Sequence, residues 1–113
     1  YISFDEAPSE MIRNFESVGI KLGRHVKSGR LLMRSIHGDG IGTDEQLLRI
    51  RRLIRSHTPK NLVIDPISAV TRLDEFTGMA SIVPRLVRDV KEAGITTVFT
   101  SLLDGHGIEI EAS

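Results

Sequence analysis

Asn61-Leu62-Val63-Ile64-Asp65-Pro66-Ile67-Ser68 is the stretch on which the reading of this chain turns. Leu62, Val63 and Ile64 form an apolar run that does not alternate with polar residues, the pattern of a parallel strand buried on both faces. The run ends on Asp65. At the carboxyl end of a strand in an open α/β sheet, an acidic residue lies where ligands bind. There it can hold Mg²⁺, directly or through a water, beside a nucleotide. Taken alone, the stretch also fits a plain turn opened by Asp65 and Pro66.

The flanking sequence decides between these. Thr43 and Gln46 make a Ser/Thr-x-x-Glu/Gln pattern, which predicts a helix that starts there, buries Leu47, Ile50, Leu53 and Ile54, and stops before Pro59. Further upstream, Tyr1–Phe4 reads as a strand ending at Asp5-Glu6. A helix follows from Pro8, with Met11, Ile12, Phe15, Val18 and Leu22 at helical spacing and Gly19 as its cap. Lys21–Ser28 adds a short helical turn, and Leu31–Ile36 a second strand. Downstream, Ile67–Gly78 reads as a loop with some helical turn. Met79–Ala93 is helical, broken or begun near Pro84 and capped by Gly94. Ile95–Ser101, rich in β-branched residues, is the fourth strand. Leu102–Ser113 reads as a loop. Strands alternating with helices predict βαβ units and a parallel α/β sheet. Asp5-Glu6, Asp65 and Thr100-Ser101 then gather along one edge of that sheet, which favours the functional reading of Asp65.

Composition narrows the class. The 113 residues are 40% hydrophobic and 27% charged with zero formal net charge, an ordinary globular balance without a basic field for nucleic acid or an anionic membrane. The absence of Cys excludes disulfides and thiolate metal sites and fits a cytoplasmic location. No apolar run approaches the ~20 residues that span a bilayer, so no membrane partner is expected. The start at Tyr1, inside an apolar stretch, suggests part of a longer protein.

Three blocks carry a family resemblance: Tyr-Ile-Ser-Phe-Asp-Glu-Ala-Pro-Ser-Glu-Met-Ile-Arg-Asn-Phe-Glu-Ser-Val-Gly-Ile (1–20), Asn-Leu-Val-Ile-Asp-Pro-Ile-Ser-Ala-Val (61–70) and Ile-Thr-Thr-Val-Phe-Thr-Ser (95–101). In order and spacing they resemble the KaiC-like domain of the RecA superfamily of ATPases over nearly the whole chain. The resemblance implies a RecA-like parallel sheet with helices on both faces and the strand order 31–36, 1–6, 61–65, 95–101. By position the family's catalytic carboxylate falls on Asp5 and Glu6. The family usually has two Glu residues here, and the shorter Asp5 is the less suited to reach a water. Asp65 matches the Walker B Asp that orients Mg²⁺, with Ser68 beside it in the same water shell. Thr100 and Ser101 match the strand end that faces the γ-phosphate. Implied with these are ATP and Mg²⁺ as cofactors, phosphoryl transfer by an ATPase or serine/threonine autokinase, circadian or other signalling, clock or signalling proteins as partners, and hexameric rings.

The motif Gly-x-x-x-x-Gly-Lys-Ser/Thr, whose backbone N–H groups and Lys cradle phosphates, does not occur in these residues. In the family it precedes the position of Tyr1, so residues 1–113 are expected to be a partial domain that neither binds ATP tightly nor hydrolyses it alone. The missing strand is expected to leave 95–101 as an exposed edge through which the chain self-associates. Two other readings use the same fold: a recombinase-type DNA-repair ATPase working through Arg49, Arg51, Arg52 and Arg55, and a non-enzymatic signalling or assembly module. Zero net charge and a single Tyr to stack bases argue against the first. Gly38-Asp39-Gly40-Ile41-Gly42 misses the spacing of a dinucleotide fingerprint and reads as a connector. His106 with Asp104, Glu109 and Glu111 matches no standard metal site.

Overall fold

In the computed structural model, five strands form one sheet in the order β2-β1-β3-β4-β5. The structure describes residues 1–36, 42–69, 82–103 and 107–112. The strands are β1 (Ile2–Ser3), β2 (Arg34–Ser35), β3 (Asn61–Asp65), β4 (Thr96–Leu103) and β5 (Gly107–Ala112). The helices are α1 (Pro8–Ser17), α2 (Gly23–Lys27), α3 (Thr43–His57) and α4 (Ile82–Glu92). β1 pairs in parallel with both β2 and β3, and β3 with β4. The α/β class is the one expected from the sequence pattern, and the order of the first four strands is the one the resemblance implies. β1 and β2 are shorter than expected, although Arg34 N–H to Tyr1 O, Ile36 N–H to Ser3 O and Phe4 N–H to Asp65 O extend the ladder by a residue on either side.

Two expectations at the carboxyl end are corrected. Residues 107–112 are a strand and not a loop, and β5 runs antiparallel along β4 from Val98↔Ala112 to Leu103↔Gly107. The edge at 95–101 is therefore covered, and self-association through it loses its physical basis because its N–H and C=O groups are already paired. Ile108 and Ile110 alternating with Glu109 and Glu111 carry the two-residue period of a strand. The Gly and Glu content of 102–113 had masked that period.

Register explains the core. Residues paired across parallel strands share a face, and neighbours along a strand alternate. Ile2, Arg34, Ile64 and Phe99 thus lie on one face, with Leu62 and Thr97. The core is built on that face: Ile2, Phe4, Ile36, Leu62, Ile64 and Phe99 pack with Leu47 and Ile50 of α3 and Ile82, Leu86 and Val90 of α4. The opposite face carries Tyr1, Val63, Asp65, Val98 and Thr100, all half-buried. β3 is therefore not buried equally on both faces, as its apolar run had suggested; Val63 matches a two-sided sheet in type but not in burial. Met11 of α1 and Met33 are buried apart from the main core.

The helix ends follow local chemistry. At the end of α1, Gly19 takes a φ of 89°, with Gly19 N–H bonded to Glu16 O and Ile20 N–H to Phe15 O. That pair of bonds satisfies two end carbonyls and needs a left-handed residue, which Gly adopts without a Cβ penalty. Gly94 repeats the arrangement after α4. α3 instead closes on Thr58 at φ 47°, a conformation unfavourable for a β-branched residue. Its start also differs from expectation. Gly42 is the N-cap and Thr43 the first helical residue, so Gln46 lies one position beyond the capping-box register. Gln46 is buried, with Oε1 unpartnered among the described residues. Pro84 is the third residue of the described part of α4. The connector at 37–41, most of the loop expected at 67–78, the helix start at Met79 and the side chains of the 104–111 acidic cluster lie outside the described residues.

Candidate functional site

The parallel pairing brings Asp65 between two hydroxyls. Ser3 stands opposite Asp65 on one side and, one step beyond the Ile64↔Phe99 pair, Thr100 stands on the other. Thr100 shares the face of Asp65, and its Oγ1 donates to Asp65 Oδ1. Tyr1, two residues before Ser3, reaches along the same face and donates its phenol to Asp65 Oδ2. Each carboxylate oxygen thus accepts one hydroxyl. A carboxylate has about four lone-pair sites, so each oxygen keeps acceptor capacity. The Asp65–Pro66 peptide is cis.

The acidic pair is set by the residue before it. Ser3 is buried, and its Oγ accepts the Glu6 N–H at 2.9 Å and the Asp5 N–H at 3.3 Å. This side-chain turn fastens the chain as it leaves β1. Both carboxyl groups are exposed. The charge of Glu6 contributes to the raised pKa of the Tyr1 phenol.

Ser68 and Ser101 are placed differently. Ser68 is buried and its Oγ accepts the Leu102 N–H at 3.1 Å, tying the segment after β3 to the end of β4. Ile67 N–H to Thr100 O, 2.7 Å, fastens the same junction. Ser101 follows Thr100 and by alternation lies on the other face from Asp65. The structure thus brings Asp65, Thr100 and Tyr1 together, with Glu6 nearby, and leaves Ser101 out. Tyr1 and Ser3 are the members that sequence reasoning missed. The two-residue alternation from Tyr1 to Ser3 and their pairing opposite β3 were the available signals.

The donors fit Mg²⁺. They are all oxygens, which suit a hard cation, and among the described residues no group of three His, Cys, Asp or Glu makes a cage. Mg²⁺ keeps most of its waters and takes one or two carboxylates.

Burial raises the Tyr1 phenol pKa above the usual tyrosine range, followed by the hydrogen bond and charge of Asp65 and then the charge of Glu6. The folded chain therefore holds this proton more tightly than the unfolded chain, and between the two pKa values it binds more protons. Stability must then fall as pH rises above about 10. We expect the stability advantage of wild type over Tyr1→Phe, measured by urea denaturation, to be constant at neutral pH and to shrink above about pH 10. A pH-independent difference would contradict the contact.

The arginines of α3 are partly committed elsewhere. Arg51 Nε bonds Asp89 Oδ2 of α4 at 2.5 Å, and Arg49 pairs with Glu45 at 3.2 Å. From α4, Arg85 reaches Asp44 at 2.9 Å. These are surface pairs of small individual value; Arg51–Asp89 and Arg85–Asp44 link α3 to α4, and Arg49–Glu45 lies within α3. A groove of about 490 Å³ opens at the other end of the sheet, lined by Tyr1, Arg30, His57, Lys60 and Val63 among others. It lies by the amino ends of the strands, away from the carboxylates. No helix among the described residues is long and apolar enough to cross a membrane.

The strand order, with an acidic residue at the carboxyl end of β3, defines a RecA-like α/β domain. The chain belongs to the KaiC ATPase family, whose sequence model matches residues 1–110. It is 31% identical over 117 aligned residues to the circadian clock oscillator protein KaiC of Prochlorococcus marinus subsp. pastoris, covering 95% of this chain and 23% of that protein. To the KaiC of Nostoc sp. it is 29% identical, covering 89% and 21%. To the circadian clock protein KaiC2 of Synechocystis sp. it is 24% identical, covering 94% and 19%. The chain spans about a fifth of the length of these relatives.

Proposed function

We propose that residues 1–113 form the metal- and water-facing part of a KaiC-like ATPase site, within a longer protein that transfers phosphoryl groups from Mg-ATP in clock-related or other signalling. The observation that carries this reading is the meeting on one sheet face of Asp65, the last residue of β3, with the hydroxyls of Thr100 and Tyr1, while Glu6 follows the end of β1.

The roles follow from chemistry. Asp65 holds the Mg²⁺ through its oxygens, and Thr100 faces the phosphate side of the same carboxylate. Held there, Mg²⁺ would supply positive charge against the phosphates of a nucleotide. Glu6 is the general base: exposed and held by its backbone, it accepts the proton of an attacking water, or of a hydroxyl in autokinase chemistry. Asp5 is the weaker candidate. Ser68 orders the junction between β3 and β4 and through it the position of Asp65. Ser101 has no place on this face. The phosphate-binding loop lies outside these residues, so the chain alone turns over no ATP, and self-association into rings is a property of the longer protein.

The test is Mg²⁺-dependent ATP turnover by a protein carrying these residues in line with a phosphate-binding loop. Asp65→Ala is expected to raise the Mg²⁺ needed for half-maximal turnover by more than about tenfold. Unchanged Mg²⁺ dependence would refute the role of Asp65. Steady turnover by the 113-residue chain, lost on Asp65→Ala, would refute the division of the site.

A further inference from the structure

We infer that Tyr1 is a positioning residue for the cation site: together with Thr100 it clamps both oxygens of Asp65, fixing which lone pairs the carboxylate offers to a divalent cation. This rests on the reading of Asp65 given above and adds a residue to it. Three observations carry it. The Tyr1 phenol and the Thr100 hydroxyl bond different oxygens of the same carboxylate. They come from strands on opposite sides of β3, so the clamp spans three strands and closes only when the sheet is paired. Both side chains, like Asp65, are half-buried on the sheet face away from the main core.

The chemistry follows from the lone-pair count. A free aspartate turns about its Cβ–Cγ bond, and a cation must arrest that rotation to bind. Here one lone pair on each oxygen receives a hydroxyl, and the remaining pair on each is left at a fixed angle for the cation or its water shell. Outer partners of this kind typically set metal affinity by about 10–100-fold. A Phe at position 1 would fill the same space and leave Oδ2 free to rotate.

The experiment is a Mg²⁺ titration, with ATP present, of the protein that carries these residues in line with a phosphate-binding loop, followed by the amide NMR signals of Asp65 and Thr100. Wild type, Tyr1→Phe, Thr100→Val and Thr100→Ser are compared. The midpoint is expected to rise about tenfold in Tyr1→Phe and Thr100→Val, and to stay near wild type in Thr100→Ser, which keeps the hydroxyl. Equal midpoints in wild type, Tyr1→Phe and Thr100→Val overturn the inference while leaving the Asp65 reading intact. A wild-type chain whose signals ignore Mg²⁺ overturns the Asp65 reading and the inference with it. A metal-free measurement on the 113-residue chain tests the clamp itself. Tyr1 is the only Tyr, and the chain has no Trp, so its emission reports the carboxylate that quenches it. Asp65→Asn is expected to brighten it; unchanged emission overturns the clamp.

Discussion

Glu6→Gln, in a protein that carries these residues with a phosphate-binding loop, is expected to lower ATP turnover by about 10²–10⁴-fold, the usual worth of a positioned general base. Gln keeps the shape and hydrogen-bonding length of Glu but cannot take a proton, so binding of Mg-ATP should survive while kcat falls. Asp5→Asn is expected to leave turnover near wild type. The difference is local: Ser3 Oγ holds the Glu6 N–H at 2.9 Å and the Asp5 N–H at 3.3 Å, and the charge of Glu6 bears on the phenol bound to Asp65. Initial-rate kinetics on the two variants decide it. A loss carried by Asp5→Asn would reverse the assignment, and no loss in either would remove the base from this turn.

Ile64→Ala is expected to lower the stability of the 113-residue chain by about 2–5 kcal/mol, the range for truncating a buried aliphatic side chain. Ile64 is fully buried, at 0% exposure, between Ile2 and Phe99 on the core face. The whole main core lies on that face, so the cavity would open where α3 and α4 meet the sheet. Against a total of about 5–15 kcal/mol for a domain, this loss leaves little margin. Its neighbour Val63 is half-buried on the opposite face. Val63→Ala should cost less, of order 1 kcal/mol. Urea denaturation of both variants measures the asymmetry directly, and equal costs would show that the second face is as well packed as the first.

Much of the architecture could be read from residue patterns. The spacing of Leu47, Ile50, Leu53 and Ile54 gave a helix, Gly19 and Gly94 gave its neighbours their ends, and apolar runs gave three of the strands at about the right places. The order of the first four strands came from the resemblance. Asp65 was visible only in company: alone the stretch also fits a turn, and the alternation of strands with helices put it on one sheet edge with Asp5-Glu6 and Thr100-Ser101. β5 went unread although Ile108-Glu109-Ile110-Glu111 alternates, since the Gly and Glu content of 102–113 also fits a loop and four alternating residues are a short period. The capping box at Thr43 failed by one residue because Gly42 can serve as N-cap as well, and local patterns do not choose between adjacent registers.

The sequence by itself determined the class of fold, the helical stripes and the presence of a carboxylate at the end of β3, because periodicity and apolar runs are local properties of the chain. Only the tertiary structure decided the company that carboxylate keeps. Tyr1 and Thr100 lie 64 and 35 residues from Asp65, and no local pattern relates them. Their hydroxyls meet it because parallel pairing of β1, β3 and β4 fixes which residues share a face, and the same register sends Ser101 to the other side.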